Sequence, residues 1–234
     1  MPRSDHDSTQ DEQLQWLTKT QEDVWRVFRI MAEFVEGFDT LSKLGHSVTI
    51  FGSARVKPNT ETYRLAKNVV KEFVRAGYGI ITGGGPGVME AANRGAREVA
   101  GSSAGVAIDL PFEEKPNSYI DPDKVIKCKH FFVRKVMFVK YAQGFIVLPG
   151  GLGTLDEFFE AITLIQTKKI HPFPIVMMGT RYWRGLVDWI RHTAVAEGLI
   201  SVHDMDLFSV TDEPKEAVSI IRKFYKKEEH HPNF

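Results

Sequence analysis

Between Phe145 and Glu160 the chain reads Phe-Ile-Val-Leu-Pro-Gly-Gly-Leu-Gly-Thr-Leu-Asp-Glu-Phe-Phe-Glu. A short apolar run, broken by glycines and followed by helical spacing, is the pattern of a buried parallel strand, a tight turn, and a helix that starts at the strand's carboxyl end. The unpaired N–H groups at such a helix start form an anion site, and Gly150, Gly151 and Gly153 allow the backbone to lie close to a bound phosphate. Thr154 is placed either to cap the helix or to bond a phosphate oxygen. Glu157, three residues on, has the spacing of a capping box, but it also stands where a sugar attached to that phosphate would lie. Both roles are open from the spacing alone.

The same strand–turn–helix grammar recurs upstream. Ser47 to Phe51 runs into Gly52-Ser53-Ala54, and Tyr78 to Thr82 runs into Gly83-Gly84-Gly85-Pro86-Gly87. Helical segments are expected over about Thr60 to Ala76, Val88 to Ala100, Phe132 to Gln143, Trp183 to Glu197 and Pro214 to Lys226. Further strands are expected through Gly105 to Leu110, near Lys124 to Lys129, at Pro174 to Met178 and near Leu207 to Val210. Strands alternating with helices imply right-handed crossovers, hence an α/β fold: a Rossmann-like, doubly wound, mostly parallel sheet flanked by helices. In such a sheet the three glycine turns share one edge, where Ser53, Gly84, Gly85 and Gly150 to Gly153 would hold a nucleotide-sized ligand at the topological switch point. The segment Pro111 to Asp123 reads as a loop at a sheet end.

Ahead of the first strand, Val24, Val27, Phe28, Met31, Phe34, Val35, Phe38 and Leu41 recur at steps of three and four, so a helical extension with one wide apolar stripe is expected, stopped by Gly45. The stripe must cover its own sheet or another subunit. The resulting organisation is a disordered tail (1–12), the helical extension (13–45), a single nucleotide-binding domain (46–227) and a flexible tail (228–234).

Lys+Arg and Asp+Glu are both 30, so bulk charge does not point to nucleic acid or a membrane surface as the partner. Cys128 is the one cysteine, which excludes an intramolecular disulfide and a multi-cysteine zinc site; it fits a strand residue better than a reactive thiol. Met1 to Asp7 lack the apolar core of a secretion signal and no apolar run is long enough to span a membrane, so a cytoplasmic location is expected. A dinucleotide fingerprint counted from Gly83 or Gly151 meets Val88 or Asp156 where its third glycine belongs, and neither a P-loop nor a nucleophile elbow is present. His203-Asp204-Met205-Asp206 reads as a cap and turn rather than a metal site; no metal and no cofactor are expected. Arg134 and Lys135 open a helix among aromatic and aliphatic neighbours. Two cations there need a ligand phosphate or Glu157 as partner, unless Lys135 reaches solvent and Arg134 pairs with a structural carboxylate.

Pro149-Gly-Gly-Leu-Gly-Thr-Leu-Asp-Glu157 resembles the P-G-G-x-G-T-x-x-E motif of the LONELY GUY family, cytokinin riboside 5′-monophosphate phosphoribohydrolases long labelled lysine decarboxylases. Gly83-Gly-Gly-Pro-Gly-Val-Met-Glu90-Ala-Ala-Asn93 and Phe132-Val-Arg134-Lys135 resemble its other blocks, so the likeness spans about Val48 to Gly179, and the long first helix looks like the larger bacterial branch. The resemblance implies hydrolysis of the N-glycosidic bond of a nucleoside 5′-monophosphate, AMP or an N6-isopentenyl-AMP type, to free base and ribose 5-phosphate, by a homodimer or higher homo-oligomer. It also implies the roles: Gly150, Gly151, Gly153 and Thr154 on the 5′-phosphate, Arg134 and Glu157 as the catalytic pair, Lys135, Glu113 and Thr163 lining the pocket, and Glu90 and Asn93 near the ribose. Pyridoxal chemistry is not expected, since no lysine stands in a context that nominates it for a Schiff base. The rival is a carrier or sensor that binds a nucleotide on the same turns without turning it over.

Overall fold

The computed structural model describes residues 5–108, 115–227 and 233, with side chains for 24–108, 115–226 and 233. In chain order the elements are α1 (Asp5–Ser42), β1 (Ser47–Phe51), α2 (Glu61–Arg75), β2 (Gly79–Thr82), α3 (Val88–Arg97), β3 (Ser103–Ile108), β4 (Val125–Cys128), α4 (Phe131–Lys140), β5 (Ala142–Val147), α5 (Leu152–Gln166), β6 (Ile175–Met178), α6 (Thr180–Trp189), β7 (Phe208–Thr211) and α7 (Pro214–Lys227). The strands form one sheet in the order β4-β3-β2-β1-β5-β6-β7, every pair parallel. The chain therefore builds outward from β1 in one direction, then crosses back through α4 to place β5 on β1's other side. The carboxyl ends of β1 and β5 flank the switch point, where ligands bind open sheets of this kind.

Two apolar layers cover the sheet. Tyr63, Val70 and Phe73 of α2, Ala92 of α3 and Ile221 of α7 pack on one face; Leu41 of α1, Phe138 of α4, Phe158 of α5 and Trp183 of α6 pack on the other. All residues of β1, β2, β5 and β6 are buried, as expected for central parallel strands shielded on both faces. Helix ends follow local chemistry. Thr60 caps α2 by accepting from the Tyr63 N–H at 3.3 Å. Gly77, at φ 92°, ends the same helix with the Tyr78 N–H returning to the Phe73 carbonyl at 3.0 Å.

The elements differ from sequence expectation in several places. α4 ends at Lys140 rather than Gln143, and β5 begins at Ala142: Ala142 pairs with Ser47, and Gly144 packs against Ile221 where a Cβ would not fit, so sheet pairing overrides local helical spacing. α6 ends at Trp189 and passes into a π-turn over Ile190–Val195, which buries Ile190 and Ala194 together. α1 begins at Asp5, within the stretch read as a disordered tail. Its apolar stripe is divided: Leu41 is buried and Phe34 packs on the core, whereas Val24, Phe28, Met31 and Val35 are exposed. α1 lies against α4 and β4. Gly37 of α1 lies close on α4, since a Cβ there would overlap Met137, and the Glu33 carboxylate accepts from the His130 N–H at 3.2 Å and lies 2.9 Å from the His130 ring nitrogen. Of the expected flexible tail, 228–232 and 234 lie outside the described residues; Asn233 is buried and donates to the Ala142 carbonyl at 2.7 Å.

The turns after β1 and β2 interlock. The Val88 N–H donates to the Ser53 carbonyl at 3.0 Å, and Gly87, at φ 69°, lies so close beneath it that a Cβ would overlap the Ser53 oxygen. Gly87→Ala is expected to destabilise the fold by about 1–3 kcal/mol through both backbone strain and overlap, read as a drop in melting temperature of several degrees.

Candidate functional site

Three glycine turns meet in one cleft of about 860 Å³ at the switch point. Gly52 and Ser53 enter from β1, Gly83 from β2, Gly150 to Thr154 from β5 and α5, with Arg134, Glu157, Asp156, Phe131 and Tyr182 completing the wall. The Ser53 N–H donates to the Pro149 carbonyl at 3.1 Å, which ties the first turn to the third. The Gly83 turn is held from its outer side: the Gly84 N–H donates to Thr82 Oγ1 at 3.0 Å, and the Asn117 amide nitrogen donates to the carbonyls of Gly84 and Gly85.

α5 begins at Leu152 with Gly151 as its cap residue and no side-chain cap bond. Thr154 therefore lies inside the first turn, buried, its N–H 3.0 Å from the Gly151 carbonyl; it is not the cap, and the capping-box reading of Thr154 and Glu157 is overturned. The cause is Gly150, against which Thr154 packs so tightly that a Cβ at 150 would overlap Oγ1. With no cap side chain over the helix start, the first N–H groups of α5 remain available to an anion. A Cβ at Gly151 or Gly153 would meet nothing within 4 Å, so no packing contact requires glycine at either position and the space beside the helix start is open.

Glu157 lies five residues beyond Leu152, roughly 7.5 Å along the helix axis, the reach from a phosphate across a pentose. Its side chain is only 13% exposed, and burial pushes its pKa up to about 7. Lys135 and Arg134 pull the value down and Glu160 and Asp156 push it up, but desolvation dominates. The result is a carboxyl able to exist in either form near neutral pH, the property general acid–base chemistry needs. Lys135 Nζ lies 2.7 Å from Glu160, 2.8 Å from Asp156 and 3.9 Å from Glu157. Burial opposes its charge, yet the hydrogen bonds to Asp156 and Glu160 hold its pKa above the ordinary lysine value. Its partners are thus α5 carboxylates, and it does not itself line the cleft.

Arg134, one position earlier on α4, turns the other way. Its guanidinium carbon lies 5.1 Å over the Phe138 ring and the group reaches the Gly83 turn, where a Cβ would overlap Nη2. Gly83 thus makes room for Arg134, a role sequence reading missed. Phe131 is exposed in the cleft wall, as α4 turns its apolar side inward through Val133, Met137, Phe138 and Val139.

Other candidates lie elsewhere. Glu90 accepts from the Tyr63 hydroxyl at 2.7 Å, and Asn93 is buried, its Oδ1 accepting from Thr82 Oγ1 and Asn117. Neither lines the cleft. Thr163 is exposed and donates to the Phe159 carbonyl at 2.7 Å, two turns further along α5. Gly84 and Gly85 face Ile120, Ala107 and Met89. Glu113 lies outside the described residues. Cys128 closes β4 fully buried, burial pushing its thiol up to about 12. Asp204 caps a 3₁₀ turn with Ser201. Among the described residues there is no group of three or more His, Cys, Asp or Glu side chains suited to a metal ion, and no helix long and apolar enough to cross a membrane.

Similarity to known proteins covers this same region. The family described as "Possible lysine decarboxylase" matches residues 89–221. The cytokinin riboside 5′-monophosphate phosphoribohydrolase of Rhodococcoides fascians is 29% identical over 75% of this chain and 89% of its own length. The enzyme of the same name from Mycobacterium tuberculosis is 31% identical over 68% of this chain and 85% of its own. Among solved structures, the structural-genomics target TM1055 superposes with a TM-score of 0.58 at 21% identity, covering 76% of this chain and 99% of that one, which establishes a shared fold.

The raised Glu157 pKa carries a stability consequence. A carboxyl whose folded pKa exceeds its unfolded value disfavours the native state once ionised, so stability present below the unfolded value of about 4.5 is lost as pH rises through about 7. Glu157→Gln is therefore expected to gain in melting temperature relative to the parent between those pH values, by the equivalent of a few kcal/mol, with a constant difference above. Calorimetry at stepped pH measures it.

Proposed function

Because this chain belongs to the LONELY GUY family, whose members match the description "Possible lysine decarboxylase" and include named phosphoribohydrolases, we propose that it hydrolyses the N-glycosidic bond of a nucleoside 5′-monophosphate, releasing the base and ribose 5-phosphate. The observation that carries this reading is Glu157: a carboxyl with only 13% of its side chain exposed and a pKa pushed up to about 7, a turn and a half above an uncapped helix start, in the cleft that also holds Arg134. A carrier needs the anion site but has no use for such a carboxyl. Amino-acid decarboxylation fits less well, since no lysine lines the cleft among the described residues and Lys135, on the helix that supplies Arg134, is engaged by two carboxylates.

In the proposed reaction the 5′-phosphate sits on the first N–H groups of α5, between Gly150, Gly151, Gly153 and Thr154. The ribose extends along the helix to Glu157. As the C1′–N bond breaks, its electron pair leaves with the base and positive charge builds on the ribose ring. Ionised Glu157 stabilises that charge and accepts a proton from the water whose oxygen bonds to C1′; the leaving nitrogen takes up a proton in turn. Arg134 stays charged throughout, so its part is to stabilise the anionic groups of substrate and product. Lys135 acts from α4 by holding Asp156 and Glu160. The protein works in the cytoplasm as a homo-oligomer, in which the exposed Val24, Phe28, Met31 and Val35 of α1 are covered by another copy.

Incubation with AMP and with N6-isopentenyl-AMP, followed by chromatography, is expected to show free base and ribose 5-phosphate in equal amounts; nucleotide bound without release would establish the carrier instead. Activity requires ionised Glu157, so kcat/KM should rise with pH through about 7. Glu157→Gln should lose about 10²-fold or more in kcat while still binding nucleotide. Gly153→Ala, within a helical turn, should raise the melting temperature slightly, by up to about 1 kcal/mol of helix propensity, and weaken nucleotide binding by intruding on the phosphate.

A further inference from the structure

Pro149-Gly150-Gly151 carries no side chain that could set the direction of its own peptides. A peptide between two glycines can flip at small cost, because neither residue has a Cβ to clash. Its orientation must come from outside the loop. Ser53 supplies half of it, its N–H holding the Pro149 carbonyl at 3.1 Å. The other half comes from α6, where the Tyr182 hydroxyl donates to the Gly150 carbonyl at 2.7 Å.

Tyr182 stands on a fixed base. Gly179, at φ 101°, brings the start of α6 up against Pro149, with its Cβ position 3.3 Å from Pro149 Cγ. The Asp212 carboxylate accepts from the Thr180 N–H at 2.7 Å and from the Thr180 hydroxyl, anchoring the first turn of α6. The buried Trp183 donates from Nε1 to the Met178 carbonyl at 3.0 Å, and its ring meets the Tyr182 ring edge-on at 4.8 Å between centroids. Tyr182 is itself about half exposed and forms part of the cleft wall.

We propose that Tyr182 is a positioning residue for phosphate binding: by holding the Gly150 carbonyl it sets the Gly150–Gly151 peptide so that the Gly151 N–H, which in a trans peptide points opposite to that carbonyl, is presented to the phosphate. The open space where a Gly151 Cβ would stand is where the anion then sits. This rests on the phosphate subsite of the reaction proposed above, but not on the chemistry at C1′. A contact made equally to substrate and transition state changes affinity rather than turnover.

Tyr182→Phe removes the hydroxyl and keeps the ring on Trp183, so its melting temperature should stay within a few degrees of the parent. Isothermal titration with ribose 5-phosphate is expected to show about tenfold weaker binding, the loss of roughly one hydrogen bond. KM for AMP should rise by a similar factor while kcat stays within about twofold. Unchanged affinity for ribose 5-phosphate in the variant overturns the proposal, as does a fall in kcat at unchanged KM. Should the parent bind ribose 5-phosphate without hydrolysing any nucleotide, the assigned reaction fails, and the titration still decides the role of Tyr182.

Discussion

The structure depends on Ser53. Its N–H holds the Pro149 carbonyl, its carbonyl accepts the Val88 N–H, and Gly87 fits beneath it only because it has no side chain. Through these contacts the loops after β1, β2 and β5 become one surface. Parallel strands alone would bring three turns to the same edge, but a sheet edge is a line of separate loops. A small number of main-chain hydrogen bonds turns it into a cleft, and because they involve backbone groups the arrangement tolerates change in most side chains around it.

The electrostatics of the cleft depend on how adjacent residues are divided between two directions. On α4, Arg134 turns toward the Gly83 turn and Lys135 toward α5. On α5, Asp156 and Glu160 take the close contacts with Lys135, while Glu157 stands further from it, at 3.9 Å. Glu157 is the most deeply buried of the three, and desolvation pushes its pKa up. Burial and charge thus select one carboxyl from a cluster of three, and α1, through Glu33 at the His130 N–H, fixes the start of the helix that carries both cations.

The sheet was legible because central parallel strands must be apolar throughout, and the turns because glycine clusters have few other uses. The boundary between α4 and β5 was not: Ala142 and Gln143 suit a helix locally and become strand only when β1 is available to pair with them. Thr154 misled for a related reason. Its spacing to Glu157 matches a capping box, but the helix begins two residues earlier, since the approach of Gly150 to Thr154 sets where the turn ends. Tyr182 left no signal in the sequence, because its partner is a backbone carbonyl 32 positions away.

Taken by itself, the sequence determined the layered α/β architecture, the glycine turns and the residue types available for chemistry, because periodicity and the absence of a Cβ act over a few residues and need no distant partner. Only the tertiary structure decided which of those residues face one another. It put Arg134 and Glu157 in the cleft, gave Lys135 to the carboxylates of α5, and drew Glu90 and Asn93 into contacts with Tyr63 and Thr82. Direction and burial of a polar side chain are set by what packs around it, and that surrounding comes from elements far apart in the chain.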